Sequence, residues 1–136
     1  MPSDFRLNTT SRDAGLDAEF TSAQNGGRLR VYSGTRPAGP STAITDQVML
    51  VELTLNATAW AAASGGSKVA NAITGVAAVA SGTASFFRIF NTDGTTPHAD
   101  GNVGTADENM VLPTTTITAG VTVNVTSLTF TVPASF

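Results

Sequence analysis

The sequence contains no cysteine, which excludes disulfide staples, a thiol nucleophile and a thiolate-ligated metal. Charge is scarce as well. Asp, Glu, Lys and Arg make up 12% of the 136 residues, roughly half the ~25% of an average soluble domain, so polarity comes instead from Thr, Ser, Asn and Gly. A surface of that kind repels copies of itself only weakly and suits a protein packed against copies or partners. Histidine occurs once, at His98, and Trp and Tyr once each, at Trp60 and Tyr32. Long apolar runs are missing: residues 76–87 come nearest, and Ser81, Gly82, Thr83 and Ser85 interrupt them. No basic segment leading into an apolar core stands at the N-terminus. The expectation is a chain that neither spans a membrane nor is exported by a cleaved signal.

A net charge of -3 and a pI near 4.8 argue against a nucleic-acid binder, which would carry a basic stripe. The basic residues are scattered, and the loose group Arg28, Arg30 and Arg36 reads as a solvated face.

What is present is a strand apolar on both sides. In Phe86-Phe87-Arg88-Ile89-Phe90, alternation sends Phe87 and Ile89 to one face and Phe86, Arg88 and Phe90 to the other. Such a strand needs a core on one side and a cover on the other, supplied by a helix, a second sheet or a neighbouring subunit.

The rest of the chain is organised around it. Residues 1–12, with Phe5 and Leu7 among polar neighbours, read as an arm, and residues 13–136 as one β-rich domain. Residues 11–24 predict a short helix with Ser11 as its cap, Leu16, Phe20 and Ala23 at helical spacing, and Asn25-Gly26-Gly27 as its stop. Residues 28–33 alternate cleanly as a strand, and residues 34–40 form a Gly/Pro loop. Residues 47–56 predict a second strand with Met49, Val51, Leu53 and Leu55 inward. Trp60 reads as a lid on the core beside the flexible stretch 61–66, and residues 68–74 as a strand. Residues 76–80 are a connector or a strand edge. From Asn91 to Asn109 the chain is polar and turn-rich, with Asn91-Thr92-Asp93-Gly94 and Asp100-Gly101 as turn signals. Met110-Val111-Leu112 forms a short strand closed by Pro113. Val121, Val123 and Val125 alternate on odd positions and Leu128, Phe130 and Val132 on even ones, so the inward phase flips near Thr126-Ser127; a bulge or a break there restores both sets to one core face. These segments make an all-β single domain, either a β-sandwich of jelly-roll type or a barrel, with one short N-terminal helix.

No catalytic constellation emerges. A zinc site at His98 would need further ligands, and only Asp93 and Asp100 lie near in sequence. Asp107 and Glu108 are adjacent, so on a strand they face opposite ways and cannot share a substrate. No Gly-x-Ser-x-Gly elbow or phosphate loop occurs. Residues 93–108 hold several carboxylates in a Gly-rich setting; their spacing departs from the EF-hand pattern, and ordinary Asp-Gly turns are the simpler reading, with a cation left open. The expectation is a protein that is not an enzyme and carries no cofactor.

Three segments add a resemblance: Gly26-Gly27-Arg28-Leu29-Arg30-Val31-Tyr32-Ser33-Gly34-Thr35-Arg36-Pro37, then Gly82-Thr83-Ala84-Ser85-Phe86-Phe87-Arg88-Ile89-Phe90 with Asp93-Gly94, and residues 117–130. In this order and spacing the chain resembles a group of small tailed-bacteriophage virion proteins often encoded near the major capsid protein. The resemblance implies a β-rich structural protein made in the host cytoplasm and carried on the capsid surface. In that role it would be a cement or decoration protein whose partner is the major capsid protein, and a homo-oligomer that binds neither nucleic acid nor membrane. Phe5, Leu7, Tyr32, Trp60, Phe86, Arg88, Phe90 and Phe136 are the candidate contacts. Two alternatives stand beside it. One is a structural protein of the tail or head-tail junction; the other is a carbohydrate-binding β-sandwich module using Trp60 and Tyr32.

Overall fold

A computed structural model describes residues 6–132. Phe5, Phe136 and the first five residues of the expected arm lie outside the described residues. The chain is built mostly of strands, with one short α-helix among the described residues. In order they are α1 (Thr9–Glu19), β1 (Arg28–Ser33), β2 (Val48–Thr54), β3 (Ser67–Val69), β4 (Val76–Ala77), β5 (Gly82–Thr83), β6 (Phe86–Phe90), β7 (Pro97–Gly104), β8 (Met110–Val111), β9 (Thr116–Ile117), β10 (Thr122–Val123) and β11 (Ser127–Thr131).

Seven of these form one mixed sheet in the order β2-β1-β6-β7-β8-β11-β3, and β4 with β10 and β5 with β9 make two small ribbons. Every pairing is antiparallel except β7 with β8. The sheet does not close on itself, so the barrel alternative falls and a sandwich-like single domain remains. Backbone groups at both outer strands are met by neighbouring segments. The Val79 N–H donates to the Leu50 carbonyl on β2, and the Ala61 N–H donates to the Val69 carbonyl on β3. Such covering shields part of each edge, where open sheets aggregate.

The helix starts earlier and ends earlier than its sequence pattern suggests. Asn8, not Ser11, is the cap: its side chain accepts from the Ser11 N–H at 2.8 Å. Phe20 already has extended backbone, and a separate one-turn helix at Ser22–Gln24 follows, held by a reciprocal capping box between Thr21 and Gln24. α1 lies against β3 through polar clamps. Asp13 accepts from the Gly66 N–H at 2.8 Å, Asp17 binds the buried Lys68 ammonium at 2.5 Å and the Ala63 N–H at 2.9 Å, and Arg12 donates to the Val132 carbonyl at 3.2 Å. The Lys68 ammonium beside it holds the Asp17 carboxyl below its ordinary value.

One face of the main sheet carries the large core: Leu29, Val31, Val51, Leu53, Phe87, Ile89, Met110 and Leu128, joined by Leu16 and Phe20 from the helical segment and by Trp60. Trp60 closes it as expected of a lid, edge-on to Phe20 at 4.9 Å, with its indole N–H donating to Gln24 at 3.3 Å. A bulge between Val31 and Tyr32 lets Leu50 as well as Val51 become buried, which breaks the simple alternation expected of β2. The predicted phase break also occurs, because β10 and β11 belong to different sheets. Val123 and Leu128 are buried on either side of it, but Val121, expected inward, is 57% exposed.

The largest departure is β7. Residues 97–104 were expected to be turn and loop, yet they form the longest strand among the described residues. Asp100 lies opposite Arg88 and Gly101 opposite Phe87. A Cβ on Gly101 would stand 2.3 Å from the Phe87 ring, so the absence of a side chain there is what lets the two strands pair around that phenylalanine.

Candidate functional site

The second face of β6 was expected to be covered by a helix, a second sheet or a neighbouring subunit, and a loop of the chain itself supplies the cover. Phe86, Arg88 and Phe90 are all buried, at 0%, 3% and 6% exposure. Phe86 stacks on Tyr32 at 5.0 Å, and the Arg30 guanidinium lies 4.2 Å over the Phe90 ring. Burial pushes the Tyr32 phenol above its ordinary value. The loop between β1 and β2 folds over this layer, pinned where Arg88 donates to the Gly39 carbonyl at 3.1 Å, Gln47 to the Thr35 carbonyl at 2.6 Å and Ser85 to the Gly34 carbonyl at 2.7 Å.

A row of charges crosses four strands on this face. Arg30 pairs with Glu52 on one side and stands opposite Arg88 on the other, and Arg88 stands opposite Asp100. Two arginines directly opposed would destabilise the sheet. Each is neutralised by its outer neighbour: Arg30 meets Glu52 at 2.6 Å, and Arg88 grips Asp100 with two bonds of 2.7 and 3.0 Å. Arg28 also reaches Glu52, at 3.8 Å. Arg30 is therefore bound into the sheet, while Arg28, whose side chain is 42% exposed, and the exposed Arg36 keep part of the solvated face their sequence grouping suggested.

His98 is the extra residue of a second bulge, where Ile89 opposes Ala99 and Phe90 opposes Pro97. The bulge turns His98 toward the core, edge-on to Phe20 at 5.2 Å, with Nε2 buried, lacking a hydrogen bond and 3.8 Å from Glu19. Burial holds the imidazole below its ordinary value, and Glu19 offsets part of that shift. Asp93 caps the turn after β6, accepting from Thr95 and Thr96, and these bonds lower its carboxyl to about 2. Among the described residues no group of three or more His, Cys, Asp or Glu side chains comes together as a metal site.

Of the expected contacts, Tyr32, Trp60, Phe86, Arg88 and Phe90 are thus interior residues of the single chain, and Leu7 is half-buried. Sequence reasoning found the doubly apolar strand but not its cover, since a loop of Gly, Pro and Thr carries no periodic signal.

What it missed is a second, uncharged region beside that layer. All charged side chains fall within residues 1–68 and 88–108, and residues 69–87 and 109–136 have none. The fold joins those two neutral stretches: β4 pairs with β10, β5 pairs with β9, and the Ala84 N–H donates to the Thr115 carbonyl. Val76, Val79 and Val121 are exposed there at 37%, 66% and 57%. Beside them runs a shallow groove of about 220 Å³ lined by Leu112, Pro113, Ile117, Val121 and Val123 with threonines between. A second depression is lined by Thr54, Asn56, Ala72, Thr74 and Val76. Neither lining contains a titratable side chain. The spacing of charge along the sequence was the available signal.

Comparison of the chain with protein-family models, with characterised proteins and with solved structures finds no match. Among the described residues no helix is long and apolar enough to cross a membrane.

Proposed function

We propose that this chain is a structural protein of a tailed-bacteriophage particle, a cement or decoration protein that bridges and stabilises major capsid subunits. The observation that carries the reading is the use of charge. Arg12, Arg28, Arg30, Lys68 and Arg88 all bond within the chain, while ribbons without charge, rich in Thr and Val, expose Val76, Val79 and Val121. A protein built to sit in a lattice needs this kind of surface, because charges carried into a contact must be desolvated. Tyr32 and Trp60, the residues a sugar platform would use, are buried and in separate layers, which weighs against the carbohydrate-binding alternative. A place in the tail or head-tail junction would suit the same surface.

With the second face of β6 covered internally, the N-terminal segment is the contact assigned to the capsid. Purified chain added to heads lacking it should co-sediment with them. Deletion of Met1 to Leu7 should weaken that binding by about tenfold or more while the far-UV circular dichroism stays unchanged. Equal affinity of the full and shortened chains for bare heads would remove the arm from the account, and no binding by either would remove the capsid.

A further inference from the structure

We propose that α1 together with Phe20 is a pH-sensitive latch. It lies closed over Trp60 and Phe130 near neutral pH, and it is released as a unit, ahead of the rest of the fold, when His98 takes up a proton. The inference concerns the isolated chain and does not depend on the capsid.

The way the segment is held makes it separable. From Thr9 to Phe20 only Leu16 and Phe20 are buried. The other ties are polar: Arg12 to the Val132 carbonyl, Asp13 to the Gly66 N–H, and Asp17 to Lys68 and the Ala63 N–H. Water can replace each of these acceptors and donors. Lys68 lines the same shallow depression as Phe20 and Trp60, so departure of Phe20 opens its ammonium to water and strands no charge. Release has a natural end at Thr21. Beyond it the Gln24 amide donates to Asn91, and Thr92 donates to the Ala23 and Asn25 carbonyls, which fixes residues 23–25 to the body of the domain.

The trigger is the side chain in this contact that changes charge near neutral pH. His98 stands edge-on to Phe20, which stacks on Phe130 at 4.5 Å, and its Nε2 is buried without a hydrogen bond. An imidazolium there would carry a buried N–H with no acceptor in reach. The charged groups around it do not repair this. Glu19 on α1 is 3.8 Å away, beyond a hydrogen bond, and its side chain is 67% exposed. On β6 the residues opposite the bulge are Ile89 and Phe90, while Arg88 and Asp100 are bonded to each other on the other face of the sheet. Asp17 farther along α1 is a carboxyl held below its ordinary value, so it keeps its charge through the same interval. Burial therefore outweighs Glu19, and the closed form takes the proton only below the ordinary imidazole range. With the latch open His98 is hydrated and takes the proton first, so opening grows as pH falls through about 6.5.

The test is amide hydrogen exchange of the full chain by NMR at about pH 7.5 and about pH 5, each rate divided by the intrinsic rate of that amide. The Ala63 and Gly66 N–H groups find their acceptors on α1, and the Phe20 N–H donates to the Leu16 carbonyl, so these three report the latch. At both values they should be at least about tenfold less protected than amides of β1 and β6. Their protection should fall together by about threefold or more on acidification, at no more than about tenfold per pH unit, the slope of one proton. His98→Gln should make it independent of pH over this range, and Glu19→Gln should enlarge the fall, because the carboxylate that favours the closed imidazolium is gone. If His98→Gln does not fold, His98→Phe, which keeps an aromatic ring beside Phe20, takes its place. Protection of the three equal to that of β1 and β6 would overturn the proposal, because opening would then be global. So would values unchanged by pH, values that move separately, or a fall that persists without His98.

Discussion

Arg88 can lie within a sheet because three acceptors converge on it, two from Asp100 and one from the Gly39 carbonyl. Removing one member of such a buried pair commonly costs about 3–5 kcal/mol, since the survivor keeps its charge without a partner. The pair therefore fixes the register of β6 against β7 and the position of the covering loop together. His98 is a second residue whose environment sets its chemistry. The folded protein holds its pKa below 6.5, the value for an unperturbed imidazole. As pH falls through about 6.5, the unfolded chain takes up the proton before the folded one, so stability declines from there down to the lowered folded value. Asp17 and Asp93 also have lowered values, but they are carboxylates; their contributions are complete above 3.8 and are lost only below it. The interval between about 4 and 6.5 thus isolates the histidine. The urea midpoint should be lower at pH 5 than at pH 7.5, and His98→Gln should abolish most of the difference. An equal drop in both proteins would show that another group titrates.

At the level of elements, the two central strands differ in how plainly the sequence announces them. β1 is readable from alternation alone, with Leu29 and Val31 buried as its pattern requires. β7 is not readable, because Pro97, Asp100, Gly101 and Asn102 are types depleted in strands. Each has a tertiary reason to be there. Asp100 answers Arg88, Gly101 admits the Phe87 ring, and Asn102 accepts from the Asn109 N–H at 3.0 Å. Gly101→Ala should accordingly destabilise the fold by about 1–3 kcal/mol through overpacking, read as a lower urea midpoint with an unchanged slope. A neutral result would mean that the Phe87 ring turns aside at little cost. The helix was legible from Leu16 and Phe20, while its cap was not, because Asn8 and Ser11 are both good capping residues. The break between β10 and β11 was legible from the phase of the valines, but their exposure was not, since alternation tells which residues share a face and not whether that face is covered.

Across the whole molecule, charge is confined to two stretches of the chain, while exposed valines occur both on the outer strands, at Val48 and Val69, and on the ribbons. The main sheet holds its arginines in a neutralised row under its own loop, and the ribbons, built from stretches of sequence without charge, present Val79 and Val121 to solvent. Tyr32, Phe86, Arg88 and Phe90, first assigned to contacts, are the material of that covered layer, and Trp60 closes the core on the other face, so the need of β6 for a second face is met within one chain. The ribbons' exposed residues are neutral and in part apolar, which suits a protein repeated many times on a larger body better than one acting alone. The most direct measurement is the copy number of this chain per purified virus particle relative to the major capsid protein, by quantitative mass spectrometry. The account predicts a ratio within a small factor of one to one. A few copies per particle would contradict it and move the protein to the tail or the head-tail junction, and complete absence would remove it from the virion.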